Sequence, residues 1–152
     1  MQKLNRKLEY SMMALKHMSL KPQGELTTAK EVSERYHAPF DATARVMQKM
    51  ANKGWLKSEQ GAFGGYKMGR DLESMTLLDL IQVVEGPTRI AKCLQKKQGC
   101  EIESSCNIVS PIRNLNNRLN DFYRSCSVAE LLVDENFSER AGPLERSVRR
   151  TS

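Results

Sequence analysis

A chain of 152 residues, 39% hydrophobic, with a formal net charge of +6 and a pI near 9.3, fits one domain with an appendage. No run approaches the roughly 18 apolar residues that span a bilayer, and MQKLNRKLEY lacks the apolar stretch of a secretory signal. The expectation is a cytoplasmic protein with no membrane partner, in a compartment where disulfides rarely persist and where basic charge attracts nucleic acid first.

A first helix is expected over Asn5 to Met18, where Leu8, Met12, Leu15 and Met18 recur at helical spacing, and KPQG ends it. Thr28 and Glu31 form a capping box opening a second helix whose core face is Ala29, Val32 and Tyr36. After HAPF a third helix begins near Asp41, with Ala42, Val46 and Met50 inward and Gly54 as its stop. Two helices joined by a tight turn give a helix-turn-helix. WLKSEQ and GYKMGR then read as two strands around the glycine-rich tip GAFGG, a hairpin wing directly after the third helix.

TLLDLIQVVEGP is a further helix with Thr76 and Asp79 at its start and Leu77, Leu80, Ile81 and Val84 as its stripe. A non-periodic cysteine stretch follows. A long helix is expected from Ser110-Pro111, with Ser110 as cap. Its Ile112, Leu115, Leu119, Phe122 and Cys126 form a narrow seam, and Arg113, Asn114, Asn116, Asn117, Arg118 and Asn120 cover the remainder. So narrow a stripe needs a partner, and a second copy of the chain is the expected one. Ser127 and Glu130 open a last short helix. The fold class is therefore mainly α with a small β-hairpin wing. Residues 1–86 are the winged helix-turn-helix domain, 87–109 the cysteine loop, 110–133 the dimerisation and terminal helices, and 134–152 a polar, disordered tail.

The outer face of the third helix carries Asp41, Arg45, Gln48, Lys49 and Asn52. Arg and Gln have the shape to read guanine and adenine edges bidentately; Lys49 and Asn52 suit phosphates. Asp41 either caps the helix or accepts from a cytosine amino group. Thr43 and, in the wing, Lys57, Gln60, Gly61, Phe63 and Gly64 complete the candidate DNA-binding set. A dimer would set two such helices about one turn of duplex apart, so the operator is expected to be roughly palindromic.

Cys93, Cys100 and Cys106 lie within fourteen residues as C-x6-C-x5-C. An iron–sulfur cluster prefers thiolates. Structural zinc prefers tighter knuckles than these. A thiol switch is the third reading, with Lys92, Lys96 and Lys97 nearby to depress thiol pKa values. Burial suits only Cys126. Glu9, His17, His37 and Cys126 are the candidates for a further ligand, and spacing does not choose among them.

Taken in order, LEYSMMAL, AKEVSERYHAPFDATARVMQKMANKGWLKSEQGAFGGYKMGR, TLLDLIQVVEGP, the three cysteines and NLNNRLNDFYRSCSVAELL resemble the winged helix-turn-helix iron–sulfur regulators (IscR/NsrR-like) over residues 1–133. The resemblance implies a homodimeric, non-enzymatic transcriptional repressor with DNA affinity set by an iron–sulfur cluster, 2Fe–2S or 4Fe–4S, that senses nitric oxide, redox state or cluster supply. It implies Cys93, Cys100 and Cys106 as ligands, with Glu9 reaching over from the partner subunit and His37 as runner-up. Two departures stand out: Val109 occupies the place of a histidine found in one branch, and six residues rather than five separate the first two cysteines. The alternatives are a cluster-free regulator switching through its thiols, and an iron–sulfur electron carrier. No P-loop or dinucleotide fingerprint points to another chemistry.

Overall fold

The computed structural model describes residues 4–94 and 100–133. The proposed tail, and Lys96 and Lys97 beside the cysteines, lie outside the described residues. Within them the order is α1 (Arg6–Ser19), α2 (Ala29–Tyr36), α3 (Phe40–Asn52), β1 (Leu56–Glu59), β2 (Gly65–Met68), α4 (Leu77–Val84), α5 (Val109–Ser125) and α6 (Val128–Leu132). This is the mainly helical fold with a hairpin wing that the sequence predicts. No helix among the described residues is long and apolar enough to cross a membrane.

Asn5 caps α1 by accepting the Lys7 N–H, and Leu8, Leu15 and Met18 are buried along its inner face. Thr28 caps α2 through the Glu31 N–H, but the expected box is only half formed, because the Glu31 carboxylate turns to His17 and Lys21 instead of the Thr28 N–H. The turn to α3 is His37-Ala38-Pro39, with His37 in the left-handed region at φ 54°. Ser33 Oγ stitches this turn by donating to the Ala38 carbonyl at 2.6 Å.

Two expected core faces are corrected. Tyr36 is exposed, and its hydroxyl pairs with His17 Nδ1 at 2.8 Å. In α3, Thr43, Val46, Met47 and Met50 are buried, whereas Ala42 is only half-buried. Steps of four residues drift by about 40° each on a helix of 3.6 residues per turn, so the two steps from Ala42 to Met50 carry Ala42 to the edge of the face, while i, i+3, i+4, i+7 stays on it.

The strands pair antiparallel, Leu56 opposite Met68 and Glu59 opposite Gly65. Thr27 extends the ladder: its N–H donates to the Tyr66 carbonyl and the Tyr66 N–H to its own, both at 2.8 Å. The hairpin base is tight. A Cβ on Gly69 would sit 2.7 Å from the Gly54 carbonyl oxygen, so only glycine fits there. Leu15, Val32, Met47, Met50, Trp55, Leu56, Met75, Leu80, Val84 and Val128 join in one core.

α4 starts with the full Thr76/Asp79 capping box. The long helix begins at Val109, one residue before the expected cap: Ile108 accepts the Ile112 N–H at 2.9 Å, and Ser110 lies inside the helix. Pro111 is still in the first turn, where its missing N–H removes no intrahelical bond. The helix ends at Ser125. Cys126 is extended (ψ 116°) and buried, so it belongs to the core and not to the exposed seam of α5. Around it the chain pairs back on the start of α4: Leu77 N–H donates to the Cys126 carbonyl and Val128 N–H to the Met75 carbonyl, each at 2.8 Å. α6, with its Ser127/Glu130 capping box, then packs beside α1.

Candidate DNA-binding face and cysteine loop

α3 is amphipathic, so burying Val46, Met47 and Met50 turns Asp41, Arg45, Gln48, Lys49 and Asn52 outward. Arg45 makes no side-chain hydrogen bond or ion pair among the described residues, which leaves its guanidinium free for a base edge. Gln48 is positioned from two sides: its Nε2 donates to Asn52 Oδ1 at 2.9 Å, and Tyr66 of the wing donates to its Oε1 at 3.1 Å. The wing and the reading helix are thus tied directly to each other. Asp41 stands in the first turn of α3, where its charge suits the helix N-terminus. It is not the cap, which is Pro39 without a side-chain bond.

Two residues of the candidate set are placed otherwise than expected. Thr43 is fully buried and its hydroxyl donates to the Pro39 carbonyl at 2.9 Å, so it cannot touch DNA. Lys49 directs its ammonium to the Val84 carbonyl, 2.7 Å away at the C-terminal end of α4, rather than outward to a phosphate. Phe40, half exposed at the start of α3, adds an apolar side chain beside this face.

In the wing, Lys57, Gln60 and Gly61 are exposed, and Gly64 is half-buried. Phe63 is 94% exposed. Lys67 is held by Glu59 across the hairpin.

The cysteine loop joins α4 to α5. Its first part is clamped to α5: the Ile90 N–H donates to Asn116 Oδ1 at 3.1 Å, and the Thr88 hydroxyl to Asn120 Oδ1 at 2.7 Å. A cleft of about 350 Å³ lies here, lined among others by Leu4, Leu8, Arg89, Ile90, Leu119 and Tyr123. Cys93 sits in a short 3₁₀ turn, Lys92–Leu94, and Cys106 directly follows another, Glu103–Ser105. Cys93, Cys100 and Cys106 are free, half-buried thiols.

The soft-donor chemistry of three free thiols on one short loop fits an iron–sulfur cluster. Among the described residues of one chain, no three His, Cys, Asp or Glu side chains lie close enough to hold a metal ion.

Glu9 is half-buried on α1, 3.0 Å from Arg6. His37 is exposed at the end of α2. His17 is engaged at both ring nitrogens, by Tyr36 and by Glu31, each at 2.8 Å. Burial pushes the Cys126 thiol up from its ordinary pKa, which disfavours it as a thiolate ligand.

Comparison with known proteins agrees with this layout. The family model described as "Rrf2: Iron-dependent Transcriptional regulator" matches residues 4–134. The HTH-type transcriptional regulator IscR of Vibrio parahaemolyticus is 27% identical over 137 residues, 90% of this chain and 81% of that protein. Its namesake in Yersinia pestis is 25% identical over 150 residues, 99% and 91% of the two chains. Among solved structures, CymR, the global cysteine regulator of B. subtilis, superposes with a TM-score of 0.64 at 23% identity, covering 87% of this chain and 97% of that one. T. potens IscR gives 0.59 at 21% identity, covering 93% and 91%. The winged-helix fold, the outward-facing α3 and the match over residues 4–134 make this chain a member of the Rrf2 family of transcriptional regulators, DNA-binding proteins and not enzymes.

Proposed function

We propose that this regulator is a homodimeric repressor whose DNA affinity is set by an iron–sulfur cluster (2Fe–2S or 4Fe–4S) on Cys93, Cys100 and Cys106, with Glu9 of the partner subunit as the further ligand. The observation that carries the reading is the placement of three free thiols on the one loop that joins α4 to α5. His37 is the second candidate ligand. A carboxylate is a harder and weaker iron ligand than a thiolate, so a Glu9 position is the labile one. Bound there, a cluster supplies a redox-active centre that nitric oxide or oxygen can attack.

Dimerisation is supported by the uncovered seam of α5, where Leu115 and Phe122 are 48% and 42% exposed and Ile112 and Leu119 half-buried. A symmetric pair through this seam presents two α3 helices to a roughly palindromic operator in the cytoplasm. Asp41, Arg45, Gln48 and Asn52 read or position the duplex from α3, and Lys57, Gln60, Gly61, Phe63 and Gly64 from the wing. Coupling follows connectivity: ordering the cysteines orders the segment stapled to α5, and α4 is tied to α3 by Lys49.

Anaerobic purification with iron and acid-labile sulfide counted per chain tests the reading, followed by DNA binding with and without the cluster. Matched iron and sulfide, lost or made labile in Glu9→Ala, and a change in DNA affinity on cluster removal are expected. An iron-free protein that resists reconstitution would reject it in favour of the second reading, a thiol switch on the same cysteines. That alternative is favoured by their free state and by the lack of a preformed three-ligand group among the described residues of one chain.

A further inference from the structure

The wing tip is built around one bulky side chain. Gly64 N–H donates to the Gly61 carbonyl at 3.1 Å, closing a turn with Ala62 and Phe63 at its centre. Gly61 has φ 116°, and a Cβ on Gly64 would lie 2.4 Å from the Glu59 carbonyl oxygen. Glycine is therefore needed on both sides, and the Phe63 ring stands alone at the apex, 94% exposed. It contributes nothing to the core, and the turn does not need an aromatic there.

The arm beneath the tip is held. Thr27 pairs with Tyr66 through two hydrogen bonds, Trp55 and Leu56 are buried at the base, and Tyr66 reaches Gln48 on α3. The ring thus projects at a set distance from the reading helix. A ring on a held arm can be pushed into a base stack, whereas a ring on a floppy loop would fold back.

We propose that Phe63 is a wedge: it enters the minor groove beside the segment read by α3 and partly unstacks one base step, bending the duplex. Apolar side chains inserted in this way kink DNA toward the major groove. Pyrimidine–purine steps open most readily, so the wedge adds selectivity for such a step at a set offset from the bases read by Arg45 and Gln48. The proposal rests on the reading of α3 and the hairpin as the DNA-binding face.

The test uses a duplex selected by the full-length protein from a random library, with 2-aminopurine replacing each adenine in turn and dyes at the two ends. Wild-type protein should raise 2-aminopurine fluorescence at one step per half-site and shorten the end-to-end distance. Phe63→Ala should keep its thermal melt, lose both signals and bind about tenfold more weakly, the order expected for one lost stacking contact. Phe63→Leu should retain most of the bend. The proposal is overturned if wild type raises no fluorescence at any step, or if Phe63→Ala binds more weakly yet bends the duplex as before, which would make the ring a groove contact only. A wild-type protein that selects no duplex would instead overturn the DNA-binding assignment beneath it.

Discussion

The side-chain oxygen of Asn116 accepts the backbone N–H of Ile90 at 3.1 Å, fastening helix α5 to the chain just ahead of Cys93. Asn116 is among the few buried polar residues, and Asn120 repeats the arrangement one turn on with Thr88. Asn116→Leu should leave the Ile90 N–H without a partner and destabilise the protein by about 1 kcal/mol. It should also speed amide exchange across residues 88–93. Unchanged exchange in hydrogen–deuterium measurements would mean the staple does not hold the loop.

Lys49 acts at the end of α4 rather than at a phosphate. A cation on the last carbonyls of a helix stabilises by about 0.3–1 kcal/mol. Lys49→Met should therefore lower urea stability by that order and leave the salt dependence of DNA binding unaltered. A fall of about one in the log–log salt slope would return the residue to the phosphate contacts.

The thiols should separate by reactivity. In cluster-free native protein, iodoacetamide should label Cys93, Cys100 and Cys106, while Cys126, buried and with its pKa raised by desolvation, should react only after unfolding. Mass spectrometry over time reads this directly, and equal labelling of all four would contradict the burial of Cys126.

Glu31 predicts a pH effect. Burial works to raise its pKa, but hydrogen bonds and charge from Lys21 and His17 outweigh this and hold it below its ordinary 4.5. A carboxyl depressed on folding contributes stability that is full above its unfolded pKa and is lost as pH falls through the folded one. Glu31→Gln should thus flatten the acid limb of the stability curve below about pH 4.5 and change little near neutrality. The side chain is 37% exposed, so solvent screening keeps the effect small.

Thr27 offers a stabilising change. Its hydroxyl is fully buried and has no hydrogen-bond partner among the described residues. Thr27→Val preserves shape and the backbone pairing with Tyr66 while removing that desolvation. A gain of about 1 kcal/mol in denaturant unfolding is expected, and a loss would show that the hydroxyl has a partner.

What the sequence made legible is what local chemistry decides. The Thr76/Asp79 and Ser127/Glu130 boxes appear as read, because a cap and its partner lie three residues apart. The hairpin follows from its glycines, and the outward face of α3 from its helical period. What stayed hidden depends on distant partners. Asn116 looked like surface cover on α5, yet its partner is a backbone N–H 26 positions away. Tyr36 looked apolar, but His17 on another helix gives its hydroxyl a reason to stay out. Cys126 continued the seam in sequence, but the helix stops one residue earlier and the backbone pairing with Leu77 takes it into the core.

The paired backbones at Thr76 and Ser127 have a mechanical consequence. They close the base of an excursion that contains α4 and α5, and the chain that leaves α4 is anchored to α5 at Thr88 and Ile90. In the proposed mechanism, strain at the cysteines would act on the angle between α4 and α5, the two helices that flank them. Helix α4 is fastened to α3 by Lys49, and α5 carries the partly exposed apolar seam. In the proposed dimer the length of the cysteine span would set the pitch between the two α3 helices, and removing one residue from it should change the half-site spacing that dimer accepts.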